Sequence, residues 1–204
     1  MAKTCIQILL FIFFAIQGVH AQVTTITPGK SAPFIKLKNV DNKMISFDDY
    51  PRAKGFIIVF MSNSCPYSKA YEERITNLSK KYTALQFPLL AVNANNPEAS
   101  PENSFANMQE YAKARHFSFP YLCDDKQAIA DTYGARSTPQ VFVIRKKGTS
   151  YTVEYTGAID NDTQNNKPDK INYLEDALNA ILNNTKPSVT QTKAIGCSIS
   201  RKKA

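Results

Sequence analysis

The chain of 204 residues contains few histidines, cysteines and glycines: two, four and seven respectively. Two histidines argue against a His-rich metal site. Four cysteines are far too few for a scaffold held together by disulfides. The scarce glycines form no phosphate-binding loop. Hydrophobic residues make up 43% and charged residues 21%, as in an ordinary globular domain, so each cysteine needs its own explanation.

The formal net charge is +8, yet the basic residues are scattered. The one dense cluster is Arg201-Lys202-Lys203, at the end of the chain. A short basic tail is usually solvated, so nucleic acid is not expected as a partner. The sequence also predicts no cofactor and no metal.

Residues 1–21 have the layout of a secretory signal peptide, with a charge at Lys3, an apolar run over Ile6–Ile16 and a small residue at Ala21. The run is shorter than the roughly 20 residues of a spanning helix. We therefore expect cleavage, export to the periplasm or the medium, and no stable membrane insertion afterwards. An uncleaved N-terminal anchor is the alternative. Cleavage removes Cys5 and leaves an odd number of cysteines.

Strand and helix patterns alternate through a predicted domain at residues 22–184, followed by a basic tail at 185–204. The pattern predicts a hairpin at 31–46, strands at 55–61, 87–92, 119–122, 141–144 and 151–155, and helices at 67–82, 105–112, 127–133 and 171–181. This order predicts an α/β fold, with a central mixed sheet flanked by helices and an N-terminal hairpin.

Cys65 lies between the apolar run GFIIVFM and a helical pattern that opens with Pro66. Proline is well tolerated at the first position of a helix. The free N–H groups and the positive dipole end at a helix N-terminus stabilise a thiolate. Cys65 is therefore the candidate nucleophile; an inert buried cysteine is the alternative.

A second feature is Ser137-Thr138-Pro139, just before an apolar strand. Proline cannot donate to a sheet ladder and belongs at a strand's first residue or edge. The residues alone leave open whether the bond before Pro139 is cis or trans.

These features resemble the thioredoxin-fold redoxin superfamily, of thioredoxin and AhpC-TSA type, over about residues 28 to 183. The resemblance is to a peroxiredoxin-like subgroup with one active-site Cys-Pro-Tyr and a C-terminal Gly-Cys-Ser-Ile. The matching motifs are Ala32-Pro33-Phe34, Cys65-Pro66-Tyr67, Ala70-Tyr71, Tyr133-Gly134-Ala135, Thr138-Pro139 and Gly196-Cys197-Ser198-Ile199. The resemblance implies that Cys65 is the reactive thiol and that Pro139 is cis and packs beside it, with Thr138.

Four positions bear on the activity. The second cysteine of a thioredoxin motif is replaced by Ser68, for which we predict a hydrogen bond to the Cys65 thiolate. Peroxiredoxins carry Thr or Ser three residues before the cysteine, and Ser62 fits. They also need an arginine near the later strand, for which Arg136 and Arg145 are candidates.

Because Ser68 replaces the second cysteine, Cys65 has three options. It could use a distant cysteine as the resolving thiol, rely on an external thiol, or only bind partners covalently. Cys197 is the favoured resolver because we expect the tail to be mobile; it could condense with oxidised Cys65 within or between chains. Cys123 precedes two acidic residues that disfavour its thiolate. It is interpreted as structural, with a resolving role as the alternative.

The sequence therefore predicts an exported thiol oxidoreductase that exchanges disulfides through Cys65, with protein or small-molecule thiols and disulfides as partners. One alternative is a thiol peroxidase that reduces peroxides, with Cys197 or Cys123 resolving. Another is a catalytically weak thioredoxin-fold binding module.

Overall fold

The computed structural model describes residues 24–202. Its strands are β1 (Lys36–Asn39), β2 (Met44–Ser46), β3 (Gly55–Phe60), β4 (Leu89–Asn93), β5 (Tyr121–Cys123), β6 (Ser137–Thr138), β7 (Gln140–Lys147), β8 (Ser150–Gly157) and β9 (Cys197–Ser198). Its helices are α1 (Pro66–Ala84), α2 (Phe105–Ala114), α3 (Ala128–Tyr133) and α4 (Tyr173–Leu182), with short 3-10 turns at Phe47–Asp49 and Pro101–Asn103.

Seven strands form one mixed sheet in the order β2-β1-β5-β4-β3-β7-β8. Strands β3, β4 and β5 run parallel, whereas β7 and β8 run antiparallel to their neighbours. The predicted N-terminal hairpin is confirmed by the antiparallel pairing of β1 with β2. The mixed sheet with flanking helices is the fold class that the sequence predicts.

The continuous apolar run of β3 is explained by burial on both faces of the sheet. Ile57 and Val59 belong to a core shared with α1, α2 and α4, whereas Phe56, Ile58 and Phe60 belong to a second core shared with α3. Alternate side chains of a strand point to opposite faces, so a central strand between two helix layers has no polar face. This double packing fixes the end of β3, where Cys65 follows.

The C-terminal segment is packed against the domain, which corrects the expectation of a mobile tail. Strand β9 pairs antiparallel with β6 in a small separate sheet. Ile199 is buried in the second core, and Arg201 Nη1 lies 2.6 Å from Asp131 Oδ1. The physical reason is that Ile199 buries its apolar side chain in the second core.

Within residues 24–202, no helix has both the length and the apolar character needed to cross a membrane. The predicted signal peptide, its cleavage point and Cys5 lie outside the described residues.

Candidate active site

Cys65 occupies the N-cap of α1, the 19-residue helix that follows β3. Its backbone is extended, Pro66 opens the helix, and the first turn holds no acidic residue. The first N–H groups of a helix have no partner within the helix, and they carry its positive partial charge. A thiolate at this position is stabilised without an opposing carboxylate in the first turn. Cys65 is only 2% exposed.

A disulfide joins Cys65 to Cys197, 132 residues later in the chain. The two Cα atoms are 5.9 Å apart, within the usual range for a bridged pair. Cys197 reaches this position because β9 pairs with β6 in a register that sets Cys197 opposite Thr138. The short β6·β9 ladder thus brings the two distant cysteines together.

Thr138 and Pro139 lie directly beside the disulfide. The Thr138–Pro139 peptide bond is cis, as the family resemblance implies. The carbonyl oxygen of Thr138 lies 3.0 Å from Cys65 Sγ. In the reduced protein, this carbonyl is placed to accept a hydrogen bond from the Cys65 thiol.

A buried amide network holds the loop that leads into Cys65. Asn103 Oδ1 accepts hydrogen bonds from Ser62 Oγ at 3.0 Å, from the Asn63 backbone at 2.9 Å and from Asn93 Nδ2 at 2.8 Å. The Tyr121 hydroxyl donates to Asn63 Oδ1 at 2.7 Å. The network links the ends of β3 and β4 to the turn before α2, and so fixes the backbone just before Cys65.

Sequence reasoning missed this network. The available signal is the run Asn93-Ala94-Asn95-Asn96, which places amides directly after a buried strand. Asn103 itself carries no comparable signal, since it lies in a polar loop and reaches Ser62 only through the fold.

Ser68 is fully buried, and its hydroxyl accepts a hydrogen bond from the Ser62 backbone at 3.2 Å. This contact connects the first turn of α1 to the loop before it. The predicted hydrogen bond from Ser68 to the Cys65 thiolate stays a prediction, because the structure holds Cys65 as a disulfide.

Cys123 ends β5 and is the free cysteine of the part of the chain that the structure describes. Burial, followed by the charges of Asp125 and Asp124, raises the pKa of Cys123 to about 11. This direction agrees with the expectation that the neighbouring acids disfavour its thiolate. Since Cys65 is bonded to Cys197, the arrangement favours Cys197 over Cys123 as the partner of Cys65.

Comparison with known proteins identifies the family to which this chain belongs. The AhpC/TSA family matches residues 28–151, more than half of the chain. The chain belongs to the AhpC/TSA family. It is a thiol oxidoreductase, and its thioredoxin-like fold is the predicted one.

A related sequence and two solved structures extend the comparison. The chain is 26% identical over 128 residues to the thiol-disulfide oxidoreductase ResA of Geobacillus thermodenitrificans, covering 61% of this chain and 67% of that protein. An uncharacterized conserved protein from Geobacillus kaustophilus has a TM-score of 0.79 and 30% identity, with 87% and 93% of the two chains covered. A hypothetical protein from Sinorhizobium meliloti 1021 has a TM-score of 0.80 and 26% identity, with 89% and 98% covered. These coverages exceed the family match, so the structural likeness continues past residue 151.

The two arginines considered for peroxide binding in this AhpC/TSA protein are placed differently. Arg145 is opposite Gly55 at the start of β3, whereas Cys65 follows the end of β3. Its guanidinium donates to Asn184 Oδ1 at 2.8 Å. The candidate role of Arg145 is therefore wrong: β7 runs antiparallel to β3, so residues after Pro139 move away from Cys65. Arg136 precedes β6, and its carbonyl accepts from the Ile199 backbone; its role stays a prediction.

Ser62 makes hydrogen bonds within the loop before Cys65, and its predicted peroxide-binding role stays a prediction. Its hydroxyl donates to Asn103 and lies 3.2 Å from the hydroxyl of Ser64. Its backbone N–H donates to Ser68. These contacts describe a residue that shapes the loop before Cys65.

Proposed function

We propose that this protein is an exported thiol–disulfide oxidoreductase, with Cys65 as the nucleophile and Cys197 as the resolving cysteine. The observation that carries the proposal is the disulfide between the helix N-cap Cys65 and Cys197. A pair that forms a disulfide in the folded chain can accept and return two electrons without a cofactor. The ResA relative, whose name states the same reaction class, supports the proposal.

The geometry supports the following reaction. The Cys65 thiolate attacks one sulfur of a substrate disulfide, forms a mixed disulfide and releases the first substrate thiolate. The Cys197 thiolate then attacks Cys65 Sγ, forms the Cys65–Cys197 bond and releases the second substrate thiolate. The substrate gains two electrons, and the two cysteines lose them.

Each surrounding group has a role in this proposal. The N-terminus of α1 stabilises the Cys65 thiolate. Thr138 and Pro139 form the wall beside the reacting sulfur, since the Thr138 carbonyl lies 3.0 Å from it. Ser62 and Ser68 hold the backbone around Cys65 through their mutual hydrogen bond. Cys123, with its raised pKa, takes no part.

Export is proposed from the signal-peptide pattern of residues 1–21. The Cys65–Cys197 disulfide also fits an oxidising compartment outside the cytoplasm. N-terminal sequencing of the protein recovered from the exported fraction of its own cells tests this. We expect the mature chain to begin at Gln22; recovery of the uncut chain from the cytoplasmic fraction would contradict export.

The test of the activity uses the reduced protein and glutathione disulfide, with formation of free glutathione as the readout. We expect the wild type and Cys123→Ser to reduce it at similar rates and Cys65→Ser to be inactive. Cys197→Ser should stop at a glutathione adduct on Cys65. Peroxide consumption without disulfide reduction would favour the peroxidase, and neither activity would favour the binding module; both results contradict the proposal.

A further inference from the structure

Gln127, the residue before α3, holds the chain just after Cys197. Its side chain is 5% exposed and does not cap its own helix. Its Nε2 atom donates to the Ser200 carbonyl at 2.8 Å, and its Oε1 atom accepts from the Lys202 N–H at 2.8 Å. Nε2 also donates to the carbonyl of Ala94, which follows β4. One buried amide therefore ties the start of α3, the end of β4 and the C-terminal residues together.

The backbone of Gln127 lies in the left-handed region, with a φ of 59°. Residues other than glycine rarely adopt this conformation, and asparagine and aspartate tolerate it better than most. The local backbone therefore does not favour a glutamine. What the glutamine supplies is an amide that reaches the main chain of Ser200 and Lys202.

From these contacts, and resting on the proposed function, we propose that Gln127 is a positioning residue for the resolving step. It keeps Cys197 within reach of Cys65 while both cysteines are reduced. In the oxidised protein, the disulfide itself holds the two sulfurs together. After reduction only non-covalent contacts hold Cys197 in place, and the hydrogen bonds of Gln127 are among them.

The strand pairing around Cys197 is short. Strand β9 consists of Cys197 and Ser198, which pair with Thr138 and Ser137 in a separate two-stranded sheet. An isolated two-stranded ladder is marginally stable at best. The position of reduced Cys197 therefore depends on how firmly the residues beside this ladder are held.

Ser200 is held at both of its main-chain polar groups. Its N–H donates to Asn95 Oδ1 at 3.0 Å. Its carbonyl accepts from the Asn96 N–H at 2.9 Å and from Gln127 Nε2. Gln127 alone of these three partners also binds Lys202, two residues further on. Its side chain therefore fixes the direction of the chain as well as the place of Ser200.

The step on which Gln127 acts is the second half of the reaction with a disulfide such as glutathione disulfide. The Cys65 thiolate first bonds to one glutathione sulfur and releases the other glutathione as a thiolate. The Cys197 thiolate then attacks Cys65 Sγ, forms the protein disulfide and releases the second glutathione. The protein loses two electrons, and glutathione disulfide gains them. Only the second attack needs the two cysteines close together, so loss of Gln127 should slow that step alone.

The test compares Gln127→Met with its parent, the full mature chain with Cys123→Ser to remove the third thiol. Methionine has a similar length but cannot make the hydrogen bonds to Ser200 and Lys202. The reduced proteins are mixed with glutathione disulfide, quenched with acid over a time series and analysed by mass spectrometry. We expect the Cys65 adduct to form within about twofold of the parent's rate and to convert to the disulfide about tenfold more slowly, the scale of two lost hydrogen bonds.

The redox equilibrium separates positioning from a general loss of stability. In Gln127→Met, the equilibrium constant with glutathione should shift about tenfold towards the reduced protein. A merely structural residue would destabilise the oxidised and reduced proteins alike and leave this constant unchanged. Asp124→Ala is the matched control, because Asp124 Oδ2 accepts from the Ala130 N–H of the same helix at 2.8 Å rather than from the C-terminal residues. We expect this control to be less stable but to keep the parent's equilibrium constant.

An unchanged second step and equilibrium constant in Gln127→Met would overturn the inference, as would an equal shift of the constant in Asp124→Ala. If Gln127→Met does not fold, Gln127→Glu is measured in the same way with the same expectation, because it loses the donor to Ser200. Failure of the parent to form any Cys65 adduct would reject the proposed function instead. The equilibrium constant would in that case still test how Gln127 positions Cys197.

Discussion

Gly196 packs so closely against Thr138 that a β-carbon at residue 196 would lie well inside 3.0 Å of the Thr138 carbonyl oxygen. Thr138 is also opposite Cys197 in the β6·β9 ladder, and its carbonyl touches Cys65 Sγ. The absence of a side chain at Gly196 therefore lets this segment come near enough for Cys197 to bond Cys65.

Gly196→Ala should displace the segment around Cys197, since the obstacle is backbone rather than a flexible side chain. We expect reoxidation of the reduced protein by glutathione disulfide to slow by about tenfold, and stability to fall by about 1–3 kcal/mol because the site is overpacked. Ser198→Ala changes an exposed residue two positions away; it is the control and should behave like the wild type. Wild-type reoxidation kinetics in Gly196→Ala would show that the close contact does not matter.

Asn103→Ala should loosen the loop before Cys65. Asn103 is 3% exposed, and its removal leaves the Asn63 N–H without its acceptor. We expect the free energy of unfolding to fall by about 2–3 kcal/mol, as measured by urea denaturation, and the rate of glutathione disulfide reduction to fall with it. Asn107→Ala removes an exposed amide from α2 and should change stability by less than about 0.5 kcal/mol. Equal effects of the two variants would refute the role given to Asn103.

Reduction of the disulfide should destabilise the fold. The bond closes a loop of 132 residues, and loops of this length correspond to about 3–5 kcal/mol of lost chain entropy in the unfolded state. Urea unfolding of Cys123→Ser with and without reductant measures this difference, and Cys197→Ser should match the reduced protein. Identical stabilities in the two redox states would contradict the prediction.

Cys123 should alkylate slowly in the native protein. Its pKa is raised to about 11 from an ordinary value of 9.0, so at pH 8 its thiolate is about 100-fold less populated than that of an ordinary cysteine. The rate with iodoacetamide should rise about tenfold per pH unit towards pH 11, and unfolding in urea should restore ordinary reactivity. A rate that levels off near pH 9 would show that the pKa is not raised.

The raised pKa of Cys123 also makes the stability of the protein depend on pH. The folded state favours the neutral thiol of Cys123. The contribution of this preference to the free energy of unfolding is therefore fully present below about pH 9 and is lost as the pH rises towards 11. Cys123→Ser should therefore show a weaker loss of stability between pH 9 and 11 than the wild type, as measured by urea unfolding at each pH.

The sequence by itself determined the elements whose signals are local. The apolar run of β3, the Cys65-Pro66 start of α1 and the turn at Gly134, which adopts a left-handed φ of 61°, are each encoded within a few residues. Such patterns report burial and backbone preference directly, so the fold class and the position of Cys65 at the start of a helix could both be predicted from them.

Only the tertiary structure decided which distant residues meet Cys65. Packing of Ile199 in the second core and the β6·β9 register bring Cys197 onto Cys65, and the direction of β7 carries Arg145 away. Asn103 likewise joins the site through hydrogen bonds to residues about 40 positions away. These contacts depend on strand order and chain direction, which no local window of the sequence contains.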